Sequence, residues 1–421
     1  MSTDEVTPET EPQKRPSFVD DFLRNLWTAN TFTVTVLAIL LAIVIGGVLI
    51  VLSTPDVLAK YGYFTARPSD ALIASWDKVS DAYANMFKGS IFDWESVQGA
   101  LNGTSGWQHI FYPISETLTY AVPFTLTGLC VAVAFRGGLF NIGAQGQVVM
   151  GVILAAVTGF AFPLPVGLHL LVALIAGAVG GLIWGAIPGL LKARTGAHEV
   201  ITTIMLNYVA LFFLNWLINQ HGVQDPNHSD AISKPVLASA KLPRLFTDAL
   251  NRVDAGIVLA VLVTAAMAWM LKRSTFGFEL RAVGANPAAA RTAGMSVART
   301  VVVTMAISGA LAGLGGASVV LGSQANAMTG SIALNIGFQG ILVALLGRVR
   351  PWGVVLAALL FGALQAGGNR MQSYSGISLE LVGVLQALIV LFVAAPALIK
   401  AIFRLRAARA ARFGTSMAKG W

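Results

Sequence analysis

The chain has 421 residues, of which 56% are hydrophobic and only 11% are charged. Soluble domains carry roughly 25% charged residues, so the composition excludes a soluble globular protein. It also excludes a disordered chain, because disorder requires few apolar residues. We therefore expect an all-α polytopic membrane protein. The single cysteine, Cys130, excludes an intrachain disulfide and a cysteine-based metal or redox motif.

The two ends of the chain are polar. Residues 1–30 are rich in proline and mixed in charge, which predicts a disordered or amphipathic cytoplasmic N-terminus. No cleaved signal peptide is expected, because the first apolar run begins only near Thr31 and no A-x-A-like site follows it. A transmembrane domain is predicted over residues 31–402. Residues 403–421 are predicted to be a basic cytoplasmic tail that contacts anionic lipid rather than nucleic acid.

Apolar runs predict the membrane spans. A helix needs about 20 apolar residues to cross a hydrocarbon core of roughly 30 Å. Ten runs predict about ten transmembrane helices, at residues 31–53, 116–135, 139–162, 164–191, 199–220, 254–271, 300–322, 331–347, 353–371 and 377–402. The run 139–162 has a polar first turn and the run 331–347 is short, so each is a candidate for a re-entrant or broken helix.

The polar connections predict the topology. Residues 54–112 and 221–253 are the longest polar segments and are predicted to be extracytoplasmic loops, the first containing short amphipathic helices. With both termini in the cytoplasm, most of the 28 Lys and Arg residues fall in inner segments, as the positive-inside rule requires. The longest internal cytoplasmic segment is then 272–299.

A short motif occurs twice. The sequence LFNIGAQGQ at 139–147 is similar to ALNIGFQGI at 333–341. Five predicted helices separate the copies, and an odd number inverts the second copy across the membrane. The motif therefore predicts two inverted five-helix halves.

Several catalytic motifs are missing from the sequence. It contains neither the G-x-x-x-x-G-K-[ST] pattern of a phosphate-binding loop nor the H-E-x-x-H pattern of a metalloprotease. Its five His residues have no partners at metal-ligand spacing. We expect no cofactor, no metal site and no enzymatic activity in this chain, which argues against a membrane enzyme.

The predicted spans also lack a carboxylate near their middle. Glu116, Glu199 and Glu380 fall near predicted helix ends. Ion-coupled carriers usually need an ionisable group near the membrane midplane. The pattern therefore argues against a stand-alone secondary carrier and favours an uncharged or only partly charged solute.

The polar residues inside the predicted spans are mostly amides and hydroxyls. They are Asn141, Gln145, Gln147, Thr202, Thr203, Asn207, Asn215, Asn335, Gln339, Gln365, Asn369 and Gln386. An unpaired amide in hydrocarbon costs a few kcal/mol, so each one contacts another helix or a wet cavity. Asn141, Gln145 and Gln339 begin helices next to glycine, where amides and backbone N–H groups can converge on a solute. Interhelical hydrogen bonding and a solute pathway both remain open.

Glycine spacing predicts close helix packing. Gly177, Gly181, Gly185 and Gly189 recur every four residues and line one face of a predicted helix, so that a neighbouring backbone can approach closely. The run GALAGLGGA at 309–317 lies inside a span and receives the same interpretation.

The segment 272–299 contains a helix-start signal. Asn286 is a suitable N-cap and Pro287 a suitable first helical residue. A short helix at 287–293 is predicted, with Gly294 just beyond its end and Ala288, Ala289 and Ala290 on its surface. Such a helix is either a docking element for a partner or an ordinary connection.

Three stretches resemble a known family. RGGLFNIGAQGQVVMG (136–151), HEVITTIMLNYVA (198–210) and FGFELRAVGANPAAARTAGMS (276–296) are similar to permease subunits of bacterial ABC importers. The resemblance is to the branched-chain amino acid and simple-sugar permeases, and most closely to their nucleoside-type branch. It covers roughly residues 115–400.

The resemblance implies a multi-pass protein of the bacterial cytoplasmic (inner) membrane that imports a nucleoside. Its implied partners are a cytoplasmic ABC ATPase, which hydrolyses the ATP, a second permease subunit that is a paralogue, and an extracytoplasmic substrate-binding protein. The alternatives are a simple-sugar permease of the ribose type and a stand-alone carrier.

The resemblance also implies roles for particular residues. The importer pattern EAA-x-x-x-G maps onto Ala288, Ala289, Ala290 and Gly294, with Ala288 in place of Glu, which puts an ion pair with the ATPase at that position in doubt. The implied ATPase-coupling residues are Gly284, Asn286, Pro287, Ala289, Ala290 and Gly294. The predicted substrate pathway contains the amides Asn141, Gln145, Asn207 and Gln339, and the aromatic residues Phe140, Tyr208 and Phe212.

Overall fold

The computed structural model describes residues 31–246, 250–333 and 335–403. The predicted N-terminal segment 1–30 and almost all of the basic tail lie outside these ranges. Within them the chain folds into α-helices, one 3₁₀ turn at Ala238–Ala240, and isolated β-bridges, with no extended strand. The prediction of an all-α protein is confirmed.

In the described part of the chain, eight helices are long and apolar enough to cross a membrane. They are α1 (Thr31–Leu52), α5 (Gln108–Arg136), α6 (Ala144–Ala161), α7 (Leu168–Thr195), α8 (Glu199–Leu217), α9 (Gly256–Arg273), α12 (Val297–Leu321) and α14 (Pro351–Ser375). Two shorter apolar helices are α13 (Ile336–Leu346) and α15 (Leu379–Ala394). The remaining helices are α2 (Pro55–Tyr61), α3 (Pro68–Ser90), α4 (Trp94–Leu101), α10 (Thr275–Ala285), α11 (Pro287–Thr292) and α16 (Pro396–Ile402).

Each predicted span therefore corresponds to an apolar helix, but two of them are interrupted. The eleven residues of α13 extend only about 16 Å at 1.5 Å per residue, too short for a core of roughly 30 Å. Residues 331–333 and 335, which precede it, are not helical. The run 377–402 is divided in front of Pro396, because proline cannot continue the hydrogen bonding of the preceding helix.

The chain divides into two compact units. Residues 1–45 and 391–421 form the smaller one, in whose described part Val34, Ala38 and Ile399 are buried. Residues 46–390 form the larger one and contain all of the features discussed below.

Helices α7 and α12 are the most closely packed pair of the larger unit. The stripe Gly177, Gly181, Gly185 and Gly189 on α7 lies against Gly309 and its neighbours on α12. A Cβ atom at Gly185 would lie 2.5 Å from the carbonyl oxygen of Met305, so only glycine permits this approach. Both glycine predictions are confirmed, and the two motifs pack against each other.

The segment 54–112 folds onto the end of α14. Helix α3 has 23 residues, so the expectation of only short helices is wrong. Lys78 Nζ donates to the Ser375 carbonyl oxygen at 2.6 Å, and Asn85 Nδ2 donates to Ser375 Oγ at 2.9 Å. Ser375 Oγ donates to Asp81 at 2.6 Å. Tertiary contacts of this kind allow a helix longer than its apolar pattern predicts.

The connection 218–255 is held to the N-terminal part of α5 by a partly buried ion pair. Arg252 Nε donates to Glu116 Oε1 at 2.7 Å, and Arg252 Nη2 donates to Glu116 Oε2. The hydrogen bond to Glu116 raises the pKa of Arg252 above its ordinary value. Because α5 begins at Gln108, Glu116 lies two turns inside the helix. The apolar run had predicted that the helix begins at Glu116 itself.

Candidate substrate pathway and coupling element

The chain doubles back after α5. That helix ends at Arg136, and the connection passes through Gly138, whose φ of 71° is left-handed. Asn141 Nδ2 then lies 3.5 Å from Sγ of Cys130, which precedes Arg136 by more than one helical turn. The connection therefore re-enters the helix bundle alongside α5, and the polar first turn of the run 139–162 corresponds to this re-entrant segment.

Asn141 belongs to a closed hydrogen-bond network. Its Nδ2 donates to Gln147 Oε1 and to Ser308 Oγ, both at 2.8 Å. Gln147 Nε2 donates back to Asn141 Oδ1 at 3.2 Å, and Ser308 Oγ donates to the Cys130 carbonyl oxygen at 2.8 Å. All four residues are buried. These bonds join α5, α6 and α12, so Asn141 holds helices together in this conformation.

Gln145 connects the two copies of the repeated motif. Its Nε2 donates to the carbonyl oxygen of Ala333, and its Oε1 accepts from the backbone N–H of Gly337 at 2.9 Å. The N-terminal N–H groups of a helix have no partner within that helix. Gln145, in the first turn of α6, therefore caps the start of α13, and the N-termini of the two helices meet.

Asn207 on α8 holds the re-entrant segment from another side. Its Oδ1 accepts from Gly146 N at 2.8 Å, and its Nδ2 donates to the Ile142 carbonyl oxygen at 3.0 Å. The neighbouring Tyr208 is 60% exposed on the outer face of the same helix. Phe212 is also exposed, and the exposed Phe140 stacks on Phe135 with 5.0 Å between ring centroids.

A cavity of about 370 Å³ lies between α5, α13, α14 and α15. We call it the amide cavity. It is lined by Tyr120, Pro123, Phe124, Gln324, Ile332, Asn335, Ile336, Gln339, Gln365, Leu379, Glu380 and Gly383. Gln339 is the one predicted pathway residue in this lining. The amides Asn141, Gln145 and Asn207 and the three predicted aromatic residues are placed elsewhere, and their roles in transport stay predictions.

The polar side chains of the amide cavity are partly paired with the protein. Gln324 Nε2 donates to the Thr119 carbonyl oxygen at 2.7 Å, and the Tyr120 hydroxyl accepts from Asn369 Nδ2 at 2.9 Å. Glu380, the second residue of α15, is the one charged residue among the described residues of the lining. A carboxylate without a lining cation disfavours an anionic solute.

The segment 274–296 folds into two short helices, α10 and α11. Asn286 Oδ1 accepts from Ala288 N at 3.0 Å and from Ala289 N at 3.1 Å, with Pro287 as the first residue of α11. Gly294 follows that helix with φ 83°. The predicted cap, first residue and stop are confirmed.

Two of the predicted coupling residues face the protein. Ala288 and Ala289 are exposed, but Ala290 is only 4% exposed, so its expected place on the surface is wrong. One face of the short helix lies on the chain itself, and Ala290 N–H and C=O both take part in backbone hydrogen bonds there. Gly284 on α10 packs against the end of α5, where a Cβ atom at Gly138 would lie 3.1 Å from Gly284 Cα.

The comparisons with known proteins decide the family. The family model described as "Branched-chain amino acid transport system / permease component" matches residues 114–394. The guanosine ABC transporter permease protein NupP of Bacillus subtilis is 45% identical over 294 residues, which cover 68% of this chain and 83% of the relative. The nucleoside ABC transporter permease protein NupB of Lactococcus lactis is 41% identical over 288 residues, covering 67% and 79%. The chain belongs to this permease family.

A third relative is named for a different substrate. The glucose ABC transporter permease protein TsgB13 of Haloferax volcanii is 35% identical over 293 residues, covering 67% of this permease and 76% of the relative. No solved structure matches the permease. The family match begins inside α5 and leaves out α1 to α4.

Sequence reasoning missed part of the permease's amide cavity. Tyr120, Gln324 and Glu380 line it, but no local pattern assigned them a role. Gln365 and Asn335 were visible only as amides inside predicted spans. The repeated motif offered one usable signal, because Asn335 and Gln339 occupy the positions of Asn141 and Gln145 in the first copy. Helix α10 was also missed, although Ser274 caps it by accepting from Gly277 N at 2.9 Å.

Proposed function

We propose that this permease is the membrane-spanning subunit of an ABC importer that moves a nucleoside across the cytoplasmic membrane, using ATP hydrolysed by a partner subunit. The observation that carries the proposal is the likeness to the guanosine permease, 45% identical over 68% of the chain. Permeases of this kind are transport components, and the chain contains no phosphate-binding-loop motif of its own.

The amide cavity supports an uncharged, hydrogen-bonding solute. Its lining combines four amide side chains, Gln324, Asn335, Gln339 and Gln365, with the aromatic residues Tyr120 and Phe124. Small-molecule sites typically combine apolar walls with a few placed polar groups. A nucleoside has both a planar base and several hydroxyl groups, and it carries no charge for Glu380 to repel.

The exposed end of α11 supports a docking role toward the ATPase. The exposed residues at this end are Asn286, Pro287, Ala288 and Ala289. Their side chains are small, and that of Asn286 is bonded to the helix N-terminus, so this surface can enter a groove on a partner. Ala288 stands where importers of other branches have Glu, so the proposed contact depends on shape and apolar area rather than on an ion pair.

Contacts inside the larger unit connect this element with the cavity. Gly284 on α10 touches Gly138 at the start of the re-entrant segment. The same segment carries Asn141 and leads into Gln145, which is bonded to Gly337 at the start of α13. Helix α13 contributes Gln339 to the cavity. In our proposal, displacement of α10 and α11 by the ATPase moves this chain of contacts and changes access to the cavity.

The proposed assembly contains a cytoplasmic ATPase, a second permease that is a paralogue, and an extracytoplasmic binding protein. Both termini and the segment 272–299 are proposed to be cytoplasmic, which agrees with the distribution of Lys and Arg. Residues 54–112 and 218–255 are then on the opposite side.

A simple-sugar permease is the second candidate. It is favoured by the likeness to the glucose permease of Haloferax volcanii, at 35% identity. The two candidates differ in whether the solute carries a base. Comparing the uptake of ribose with the uptake of ribonucleosides therefore separates them.

The first experiment measures uptake of radiolabelled guanosine, adenosine, uridine and ribose in host cells with and without the gene. Complementation uses the wild type, Gly294→Trp and the matched control Gly294→Asn. Gly294 has open space around its Cα, so an indole side chain does not collide with this chain, but its φ of 83° strains tryptophan, and membrane levels are therefore measured for each variant. Asparagine adopts the left-handed conformation readily and has a small side chain.

We expect deletion to abolish nucleoside uptake, the wild type and Gly294→Asn to restore it, and Gly294→Trp to restore little despite normal membrane levels. Loss of ribose uptake alone would favour the sugar permease. Unchanged uptake of all four solutes in the deletion strain would contradict both. Full rescue by Gly294→Trp would contradict the coupling role of α11.

A further inference from the structure

We propose that the paired amides Gln339 and Gln386 form the element of the amide cavity that recognises the hydrogen-bonding edge of a nucleobase. This inference rests on the proposed function. It assigns a base-selective site to the permease itself, in addition to any selection by a binding protein.

The first observation is an unpaired donor. Gln386 on α15 is only 1% exposed, and its Oε1 accepts from Gln339 Nε2 at 3.3 Å. Its own Nε2 is buried and has no hydrogen-bond partner among the described residues. A buried polar group without a partner costs about 1–3 kcal/mol. Rotating the Gln386 amide alone would place two NH₂ groups against each other.

The second observation is where this pair lies. Gln339 is in the first turn of α13 and lines the amide cavity, whereas Gln386 is outside the lining and accepts from Gln339. Among the described residues this is the side-chain hydrogen bond that Gln339 makes, which leaves its other N–H and its carbonyl oxygen for a solute. An amide offers a donor and an acceptor side by side, which is the arrangement that pairs with two adjacent atoms of a base edge.

The third observation concerns the walls around the pair. Tyr120 and Phe124 line the same cavity, and the Tyr120 hydroxyl is already bonded to Asn369. Stacking of a base on an aromatic side chain contributes about 1–3 kcal/mol. An aromatic wall together with an amide pair matches the face and the edge of a nucleobase. A free sugar offers neither a π face nor a planar edge.

The chemical class that follows is an uncharged ribonucleoside. Glu380 accepts well from ribose hydroxyl groups, and the absence of a cation in the cavity lining opposes a phosphorylated nucleoside. A ligand acceptor that reaches Gln386 Nε2, after a small rotation of Gln339, would satisfy the unpaired donor.

The test uses cells that lack the native gene but retain the remaining subunits of the importer. It compares wild type, Gln339→Ala, Gln386→Met and the control Gln372→Ala. Gln372 is the same residue type on α14, but it is exposed and outside the cavity. Maximal initial uptake rates of guanosine, adenosine and uridine are measured at equal membrane levels, together with the thermal stability of the purified protein.

We expect Gln339→Ala and Gln386→Met to lower the maximal rate for at least one nucleoside about tenfold, the factor for one hydrogen bond of about 1.4 kcal/mol, and to change the guanosine-to-uridine ratio. Gln372→Ala should leave rates and ratio unchanged. Gln386→Met should change thermal stability little, because the donor that it removes is unpaired and the one hydrogen bond that it removes is long, at 3.3 Å.

A merely structural role would lower all three rates by one factor, or leave them unchanged, and either result would overturn the inference while the wild type still restores uptake. If the wild type restores no nucleoside uptake, the proposed function itself is wrong, and the inference with it.

Discussion

The two copies of the N-I-G-x-Q-G motif, at 141–146 and 335–340, have the same polar residues and different surroundings. In the first copy both amides are buried and bonded, Asn141 within a network of three helices and Gln145 at the start of α13. In the second copy Asn335 and Gln339 line the amide cavity. The comparison teaches that the motif encodes a helix start inside the bundle, and that the neighbouring helices decide whether its amides bind protein or solute.

Matching substitutions in the two copies are expected to differ most in their effect on stability at the glycines. A Cβ atom at Gly337 would collide with the backbone of Gln145, whereas one at Gly143 would meet the side chain of Thr203, with 2.8 Å to its Cβ. We expect Gly337→Ala to destabilise the protein by about 3 kcal/mol and Gly143→Ala by about 1 kcal/mol. Thermal unfolding of the detergent-purified permease measures both. Equal effects would show that the contact between the two copies is not tight.

Substitution of the two glutamines is expected to give the next largest difference in stability. Gln145→Leu leaves two groups, Gly337 N–H and the Ala333 carbonyl oxygen, without their partner, so we expect a loss of about 2–6 kcal/mol, since each buried unpaired group costs about 1–3 kcal/mol. Gln339→Leu leaves one buried group, Gln386 Oε1, without its partner and should cost about 1–3 kcal/mol. The same unfolding assay compares them, and a greater loss for Gln339→Leu would reverse the assignment of structural and solute-facing copies.

The smallest effect is expected at Asn335, which has a φ of 65° in front of α13. Asparagine and glycine adopt this left-handed conformation readily, whereas alanine pays about 1–2 kcal/mol. Asn335→Ala should therefore lower stability by about that amount, and Asn335→Gly should not. A loss with Asn335→Gly as large as with Asn335→Ala would mean that the side chain itself, rather than its backbone, stabilises the fold.

Local rules predicted the parts of the fold that depend on local chemistry. Asn286, Pro287 and Gly294 form a helix with its start and stop because capping involves residues only a few positions apart. The glycine stripes were also predictable, since four-residue spacing places small residues on one helix face. Their pairing with each other was not, because nothing in either stripe identifies its partner.

The candidate site was less predictable, for a physical reason. Whether an in-span amide is paired depends on side chains that are distant in sequence, such as Ser308 beside Asn141 and Gln386 beside Gln339. Of the aromatic residues chosen from sequence, Tyr208 and Phe212 are exposed on their helix, and Phe140 is exposed in the connection after α5. Amide content predicted that a polar pathway exists, but not which helices surround it.

The bond between Lys78 and Ser375 joins residues 297 positions apart, and it has a consequence for biogenesis. At roughly 5–20 residues per second, about 15 to 60 s of translation separate the two. During that interval α3 has been synthesised while the end of α14, which carries its hydrogen-bond partner, does not yet exist. Chains truncated before Ser375 would leave Lys78, Asp81 and Asn85 without that partner, a local defect that membrane proteases and chaperones can recognise while the earlier helices are already inserted.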